Sequence, residues 1–250
     1  MEWFDFFTGK NIFYFPECIC YFKYKNNFEL YKRIFKELGI KFNVIDEHIC
    51  SGYELWEAGY DSEMRKLFRK NFDIFKEKNI KKIFSTEPGS YKMFVKDYPD
   101  ILPYWDIEVV NIWELILEKL KKKSLSNKDD FITYHDSCYL GRYCGIYEAP
   151  REILKLIGYK IKEMDNNREN SFCCGSCGGL LRTNPEIANK VARERLLQAK
   201  RIGVSKMIVV GFENYNILKN NSKDFDIEVF ELSEILADAL KIKELEKKRR

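Results

Sequence analysis

Residues 152–165 read EILKLIGYKIKEMD. A short apolar helix pattern runs into a glycine, and a β-prone run follows it. The same grammar stands at residues 33–46, RIFKELGIKFNVID, at an offset of 119, with Ile34 over Ile153, Gly39 over Gly158 and Asp46 over Asp165. Four further matches keep the order and nearly the offset. EVVNIWELI (108–116) lies over EVFELSEIL (228–236), and NIKKIFSTEPGSY (79–91) over GVSKMIVVGFENY (203–215). Cys18 lies over Cys138, and CSG (50–52) over CCG (173–175). Chance explains one such match and not five in register, so the chain reads as a duplication. The charged, polar segment KKKSLSNKDD (121–130) is the natural joint, which gives lobes at 1–122 and 123–250.

Each half carries four β-rich runs, at 11–15, 41–45, 80–85 and 107–110, then at 130–134, 159–164, 205–210 and 226–230. Helical patterns lie between them. In FELYKRIFKELG (28–39), Phe28, Leu30, Tyr31, Ile34, Phe35 and Leu38 make one face, and Gly39 ends it. In NPEIANKVARERLLQAKRIG (184–203), Asn184 is the N-cap and Pro185 the first helical residue, with Ile187, Val191, Leu196 and Ala199 expected inward. Alternating strands and helices predict an α/β fold: two Rossmann-like lobes with parallel sheets, related by a pseudo-twofold. Cys18 and Cys138 follow the first strand of their halves, and Cys50 and Cys173/Cys174 the second. Those are carboxyl ends of parallel strands, where open α/β sheets build their sites.

The composition suits a packed protein: 250 residues, 45% hydrophobic and 15% aromatic, with 19 Phe and 15 Tyr that read mostly as core. A formal net charge of +4, without a long basic tract, gives no reason to expect nucleic acid. The final KELEKKRR reads as a solvated helix terminus. The start, MEWFDFFTGKNIFYFPECICYF, is a poor signal peptide, and no run reaches membrane-span length. The expectation is a soluble, cytoplasmic protein. Its eight cysteines then point to metal or redox work rather than to structural disulfides. MEWFDFF is apolar enough to dock on this chain or a partner.

YHDSCYLGRYCGIYEAPREIL (134–154) followed by NNRENSFCCGSCGGLLR (166–182) resembles the cysteine-rich CCG domain family. That family includes the B and D subunits of heterodisulfide reductase and the iron–sulfur subunit of glycolate oxidase. The resemblance implies that the whole chain is a duplicated CCG domain. In its heterodisulfide reductase branch, each half ideally supplies one cysteine, a Cys-Cys-Gly and a Cys-x-x-Cys to a non-cubane iron–sulfur cluster that cleaves a disulfide. Here Cys138, Cys173 and Cys174 match, whereas Gly211 and Asn214 occupy the last pair. In the first half Cys18 and Cys50 match, Ser51 replaces a cysteine, and Glu87 and Ser90 stand at the last pair.

A [4Fe–4S] cubane takes four thiolates. Cys138, Cys173, Cys174 and the additional Cys177 make four, with Gly175, Gly178 and Gly179 allowing a tight loop. Zinc is the alternative cofactor, since four thiolates suit it as well. A CxxC redox dithiol and relic thiols in a packed core are also open. Cys18, Cys20 and Cys50 form a weaker second set, with Glu87 as a candidate oxygen ligand. Cys144 reads as a packed thiol near the site, His135 as a hydrogen-bonded residue behind Cys138, and His48 as exposed. Arg142, Arg168 and Glu169 read as loop bracing, or as an anion contact or tuner of cluster potential. The expected function is an iron–sulfur oxidoreductase subunit with a disulfide, thiol-linked or other redox acceptor. No ferredoxin-type cysteine run is present, so a separate electron-donor protein with ferredoxin-type clusters, or other subunits, is expected. The alternative is a non-catalytic metal-binding assembly protein that keeps the fold.

Overall fold

The computed structural model describes residues 12–45, 50–123, 125, 128 and 130–242. MEWFDFF, Asp46, His48, KELEKKRR and part of the 121–130 joint therefore lie outside the described residues.

All eight expected strands are present. The first sheet contains β1 (Ile12–Phe15), β2 (Asn43–Val44), β3 (Lys82–Ser85) and β4 (Glu108–Val109). The second contains β5 (Phe131–His135), β6 (Lys160–Ile161), β7 (Lys206–Val209) and β8 (Glu228–Glu231). Every pairing is parallel, and the orders β2-β1-β3-β4 and β6-β5-β7-β8 are the same. The chain leaves β1 toward one edge and returns at β3 on the other side of it. That reversal opens a crevice at the carboxyl ends of β1 and β3, and again at those of β5 and β7.

The helices repeat too. In the first lobe they include α1 (Lys25–Glu37), α2 (Tyr53–Glu57), α3 (Asp61–Glu77), α4 (Pro88–Lys92) and α5 (Ile112–Leu120). In the second they include α6 (Glu148–Leu156), α7 (Pro185–Arg201), α8 (Phe212–Asn221) and α9 (Leu232–Ala239). Helices α3 and α7 are both 17 residues long. Cys18 and Cys138 each precede a single π-helical turn, Ile19–Lys23 and Tyr139–Tyr143.

Helix α1 packs on α9, and α5 on α6, so each lobe offers its first and last long helices to the other. The reciprocal pairing is that of a pseudo-twofold. One apolar core runs through this layer, joining Tyr14, Tyr31, Phe35 and Phe84 to Ile132, Ile153, Leu232 and Leu236. Polar bonds key the register: Tyr31 OH donates to Glu231 Oε1 (2.8 Å) and Asn27 Nδ2 to Ser233 Oγ (3.0 Å).

One helix face differs from expectation. Asn184 does cap α7, accepting from Ile187 N (3.1 Å), but Ile187 is 47% exposed. The inward face is Ala188, Ala192, Arg195, Leu196 and Ala199. Small residues let α7 approach the sheet closely, which turns Ile187 outward.

Candidate metal centre

In the second lobe the end of β5 is clamped before the first cysteine. Asp136 accepts from both terminal nitrogens of Arg151 (2.6 and 2.8 Å) and from Arg168 N (2.8 Å). Arg151 also reaches Glu163 (2.7 and 3.0 Å). Beside them Arg195 Nε donates to His135 Nδ1 (3.0 Å). Burial, aided by the Arg195 charge, holds the His135 imidazole well below its usual range, so it is neutral with its Nδ1 lone pair engaged. His135 thus braces the strand end from inside, as the sequence indicates. Arg168 pairs with Glu148 (2.6 Å) as a loop brace, and Glu169 is exposed.

Arg142 donates to the Ser171 carbonyl (2.7 Å) and so ties the π turn to the cysteine loop. In that loop Gly175 has φ +84, and a Cβ there would lie 2.5 Å from the Ala188 carbonyl oxygen of α7. Only glycine lets the loop pass so close to the helix backbone.

The four thiols form two pairs in this loop region. Cys138 Sγ lies 3.4 Å from Cys177 Sγ, and Cys173 bonds its neighbour Cys174. The contact with Cys177 holds Cys138 below the ordinary thiol range, with Arg142 assisting. The bond from Cys174 brings Cys173 down to about 6, reinforced by Gly175 N–H and Arg142. The contacts with Cys138 and Cys173, with burial, push Cys177 and Cys174 well up. Cys173 is thereby a thiolate at neutral pH, the form that ligates metal, and Cys138 is shifted in the same direction. Cys138 and Cys177 line a cavity of about 520 Å³ with Trp56, Glu57, Tyr139 and Arg142. Cys174 is buried and bonds Asn214 Oδ1 (3.2 Å) and Ser176 Oγ (3.2 Å). Cys144 faces away, packed toward Tyr91 and the central core, and burial raises its pKa to about 11.

The first lobe contributes a lid that the sequence does not reveal. Glu57, at the end of α2, accepts from Gly178 N (2.7 Å), Gly179 N (3.3 Å) and Tyr139 OH. Glu54 pairs with Arg182. These contacts join residues far apart in the chain, and no local pattern marks them.

The first lobe's own crevice differs. Glu17, Cys18 and Cys50 are the one set of three His, Cys, Asp or Glu donors lying within 4.8 Å of one another among the described residues. Cys20 does not join them: it is buried in the core, 3.9 Å from Tyr14 OH. Glu87 does not join them either. Its Oε2 accepts from Phe212 N (2.7 Å) across the lobe interface, and burial pushes its carboxyl well up. The carboxylate at this site is Glu17, whose only sequence signal is its place beside Cys18.

The family description for the CCG cysteine-rich domain matches residues 12–94 and again 132–211. The chain belongs to the cysteine-rich CCG domain family. Among curated proteins it is 33% identical over 180 residues to the "Probable iron-sulfur-binding oxidoreductase FadF" of Bacillus subtilis (strain 168), covering 70% of this chain and 25% of that protein. It is 31% identical over 219 residues to the D subunit of dihydromethanophenazine:CoB--CoM heterodisulfide reductase of Methanosarcina mazei, covering 83% and 54%. The chain thus spans between a quarter and about half the length of these CCG relatives. Among solved structures, a hypothetical protein from Helicobacter pylori superposes with a TM-score of 0.68 at 16% identity, over 94% of this chain and 49% of that one; this likeness concerns the fold alone. Among the described residues, no helix of this CCG protein is long and apolar enough to cross a membrane.

Proposed function

We propose that this chain is a cytoplasmic iron–sulfur oxidoreductase subunit, with one [4Fe–4S] cluster held by Cys138, Cys173, Cys174 and Cys177. Bound there, the cluster supplies one-electron transfer. The observation that carries the reading is the grouping of these cysteines beside Arg142, with Cys138 Sγ 3.4 Å from Cys177 Sγ and Gly175 N–H donating to Cys173 Sγ (3.3 Å). The four sulfurs do not converge as they would on one tetrahedral zinc, about 3.8 Å apart at ~2.3 Å from the ion: among the described residues no three of them fall within 4.8 Å of one another.

The chain's residues have separable roles. Arg142 favours the thiolates electrostatically. Glu57 holds the Gly178–Gly179 turn from the other lobe. Trp56, Tyr139 and Tyr143 wall the cavity and limit water. Electrons come from a separate protein with ferredoxin-type clusters or from another component of a complex. They pass to a disulfide, a thiol-linked compound or another redox acceptor. Relatives described as iron–sulfur oxidoreductases and as parts of heterodisulfide reductase support that class.

Anaerobic purification with metal and sulfide analysis tests this. Iron and acid-labile sulfide near four per chain are expected, and Cys177→Ser should lower both sharply. One zinc without sulfide would overturn the cluster. Iron unchanged in Cys177→Ser would place the fourth ligand elsewhere.

A further inference from the structure

We propose that Lys92 is a positioning residue of the second-lobe centre. This buried lysine of the first lobe clasps Trp56 and Tyr143, one ring from each lobe, and so holds the wall of the cavity over Cys138 and Cys177. The inference rests on the reading that this cavity is the working site. The clasp itself does not depend on what the cysteines hold.

Lys92 is the last residue of α4, and its side chain is only 4% exposed. A lysine rarely leaves water unless it is paired. Among the described residues its ammonium has one hydrogen bond, to Asp97 Oδ1 (2.7 Å), at the end of the π-helical turn Met93–Asp97. An ammonium carries three N–H donors, and the rest of this one faces aromatic rings. Nζ lies 3.5 Å from the centre of the Trp56 ring and 5.3 Å from that of Tyr143. Both fall within the ~6 Å over which a cation is drawn to a ring face, and the attraction strengthens where water is excluded. An ion pair that served only to neutralise Asp97 would not require the ammonium to be centred on an indole.

What the two rings do gives the clasp its consequence. Trp56 lies on α2, a helix of five residues that is too short to be stable without tertiary contacts. The next residue, Glu57, holds the Gly178–Gly179 turn beside Cys177. Tyr143 ends the π turn that follows Cys138 and stacks on Tyr139, with centroids 5.5 Å apart. Trp56 and Tyr143 both line the cavity of Cys138 and Cys177. Lys92 thus ties the lid helix of one lobe to the cysteine-bearing turn of the other. Without its ammonium, α2 and the half-exposed Tyr143 are free to part and admit solvent to the two thiols.

The test is alkylation by iodoacetamide of the full chain, metal-free and anaerobically reduced, with the rate at each cysteine read by peptide mass spectrometry. Lys92→Met keeps the length of the side chain and removes the ammonium. Cys138 and Cys177 should then react about tenfold faster, the factor by which losing a desolvated cation–π contact eases local opening. Lys92→Arg keeps a cation over the rings and should stay within about twofold of the wild type. Cys20, buried in the core, is the internal reference and should keep its rate in every variant. Lys92→Met leaves Asp97 without its cation, so Lys92→Met/Asp97→Asn is the second variant and should show the same selective rise. Unchanged rates at Cys138 and Cys177, a rise in Lys92→Arg as large as in Lys92→Met, or an equal rise at Cys20 would each overturn the assignment. The protein tested carries no metal. A native preparation without iron and sulfide would therefore overturn the proposed cluster and leave this result standing.

Discussion

Phe15-Pro16-Glu17-Cys18 and His135-Asp136-Ser137-Cys138 occupy the same place in their lobes, at the end of the first strand and before a single π-helical turn. In the second lobe the carboxylate comes two residues before the cysteine. It faces inward to Arg151 and locks the strand end. In the first lobe that position is Pro16, and the carboxylate comes one residue later, where Glu17 points into the crevice beside Cys18. The second crevice gathers four thiols, and the first gathers two thiols and an oxygen. The positions of the missing Cys-x-x-Cys tell the same story. Asn214 bonds Cys174 in one lobe, and Ser90 bonds Ser51 in the other. One backbone thus supports two chemistries, because the side chains at the strand ends are exchanged in concert.

The largest effect separating the lobes should come from Arg151, which is 1% exposed. Arg151→Ala leaves Asp136 buried without its cation and should cost about 3–5 kcal/mol in denaturant unfolding. The matching first-lobe residue is Lys32, a surface partner of Glu29 at 2.9 Å. Lys32→Ala should cost no more than about 0.5 kcal/mol. Equal losses would mean that the strand-end clamp is not what distinguishes the second lobe.

The second contrast is between the caps of the last helices. Asn111 caps α5 with a neutral amide, whereas fully buried Glu231 caps α9. Burial pushes the Glu231 carboxyl up to about 7, against hydrogen bonds from Ser233 and Tyr31 that favour its ionised form. The folded value exceeds the unfolded one, so the protonated group's contribution is fully present below about 4.5 and is lost as pH rises through about 7. At ~1.4 kcal/mol per pKa unit this is on the order of 3 kcal/mol. Thermal unfolding between those pH values should show Glu231→Gln with a shallower loss than wild type. Some slope should remain, because burial raises Glu87 in the same direction. A slope unaltered by Glu231→Gln would assign the pH dependence to other groups.

A smaller difference is expected at the paired glycines. Gly52 and Gly175 have φ of +90 and +84. A Cβ on Gly52 meets the side chains of Phe68 at 3.1 Å and Leu67 at 3.2 Å, which can yield. A Cβ on Gly175 meets the Ala188 backbone oxygen at 2.5 Å, which cannot yield without moving α7. Both alanine variants should lose about 1–3 kcal/mol from the backbone conformation, with Gly175→Ala at the upper end and Gly52→Ala at the lower. The reverse order in calorimetry would show that the cysteine loop is looser than its first-lobe counterpart.

Most of the fold was legible, and for a definite reason. Parallel strands and their crossover helices are local patterns of apolar residues and caps, and duplication states each pattern twice. The eight strands and the Asn184 cap needed nothing more. Ile187 was misread because helical periodicity does not say which arc of an alanine-rich helix faces the sheet. At the sites, spacing identified the cysteines worth considering. It could not separate Cys18 from Cys20, since both flank the start of the same turn and a rotation about the backbone sends one to the crevice and the other to the core. Glu87 was a reasonable oxygen donor by repeat position, yet the crossing of the lobes takes it to Phe212 N instead.

The sequence by itself determined the duplication and the parallel α/β lobes, and it singled out the candidate cysteines of the second crevice, because these depend on order and period along the chain. Only the tertiary structure decided that Glu57 of one lobe closes the cysteine loop of the other, and that Glu17 rather than Cys20 or Glu87 stands with Cys18 and Cys50. Those facts depend on side-chain direction and on contacts between residues far apart in the chain, and neither leaves a period in the sequence.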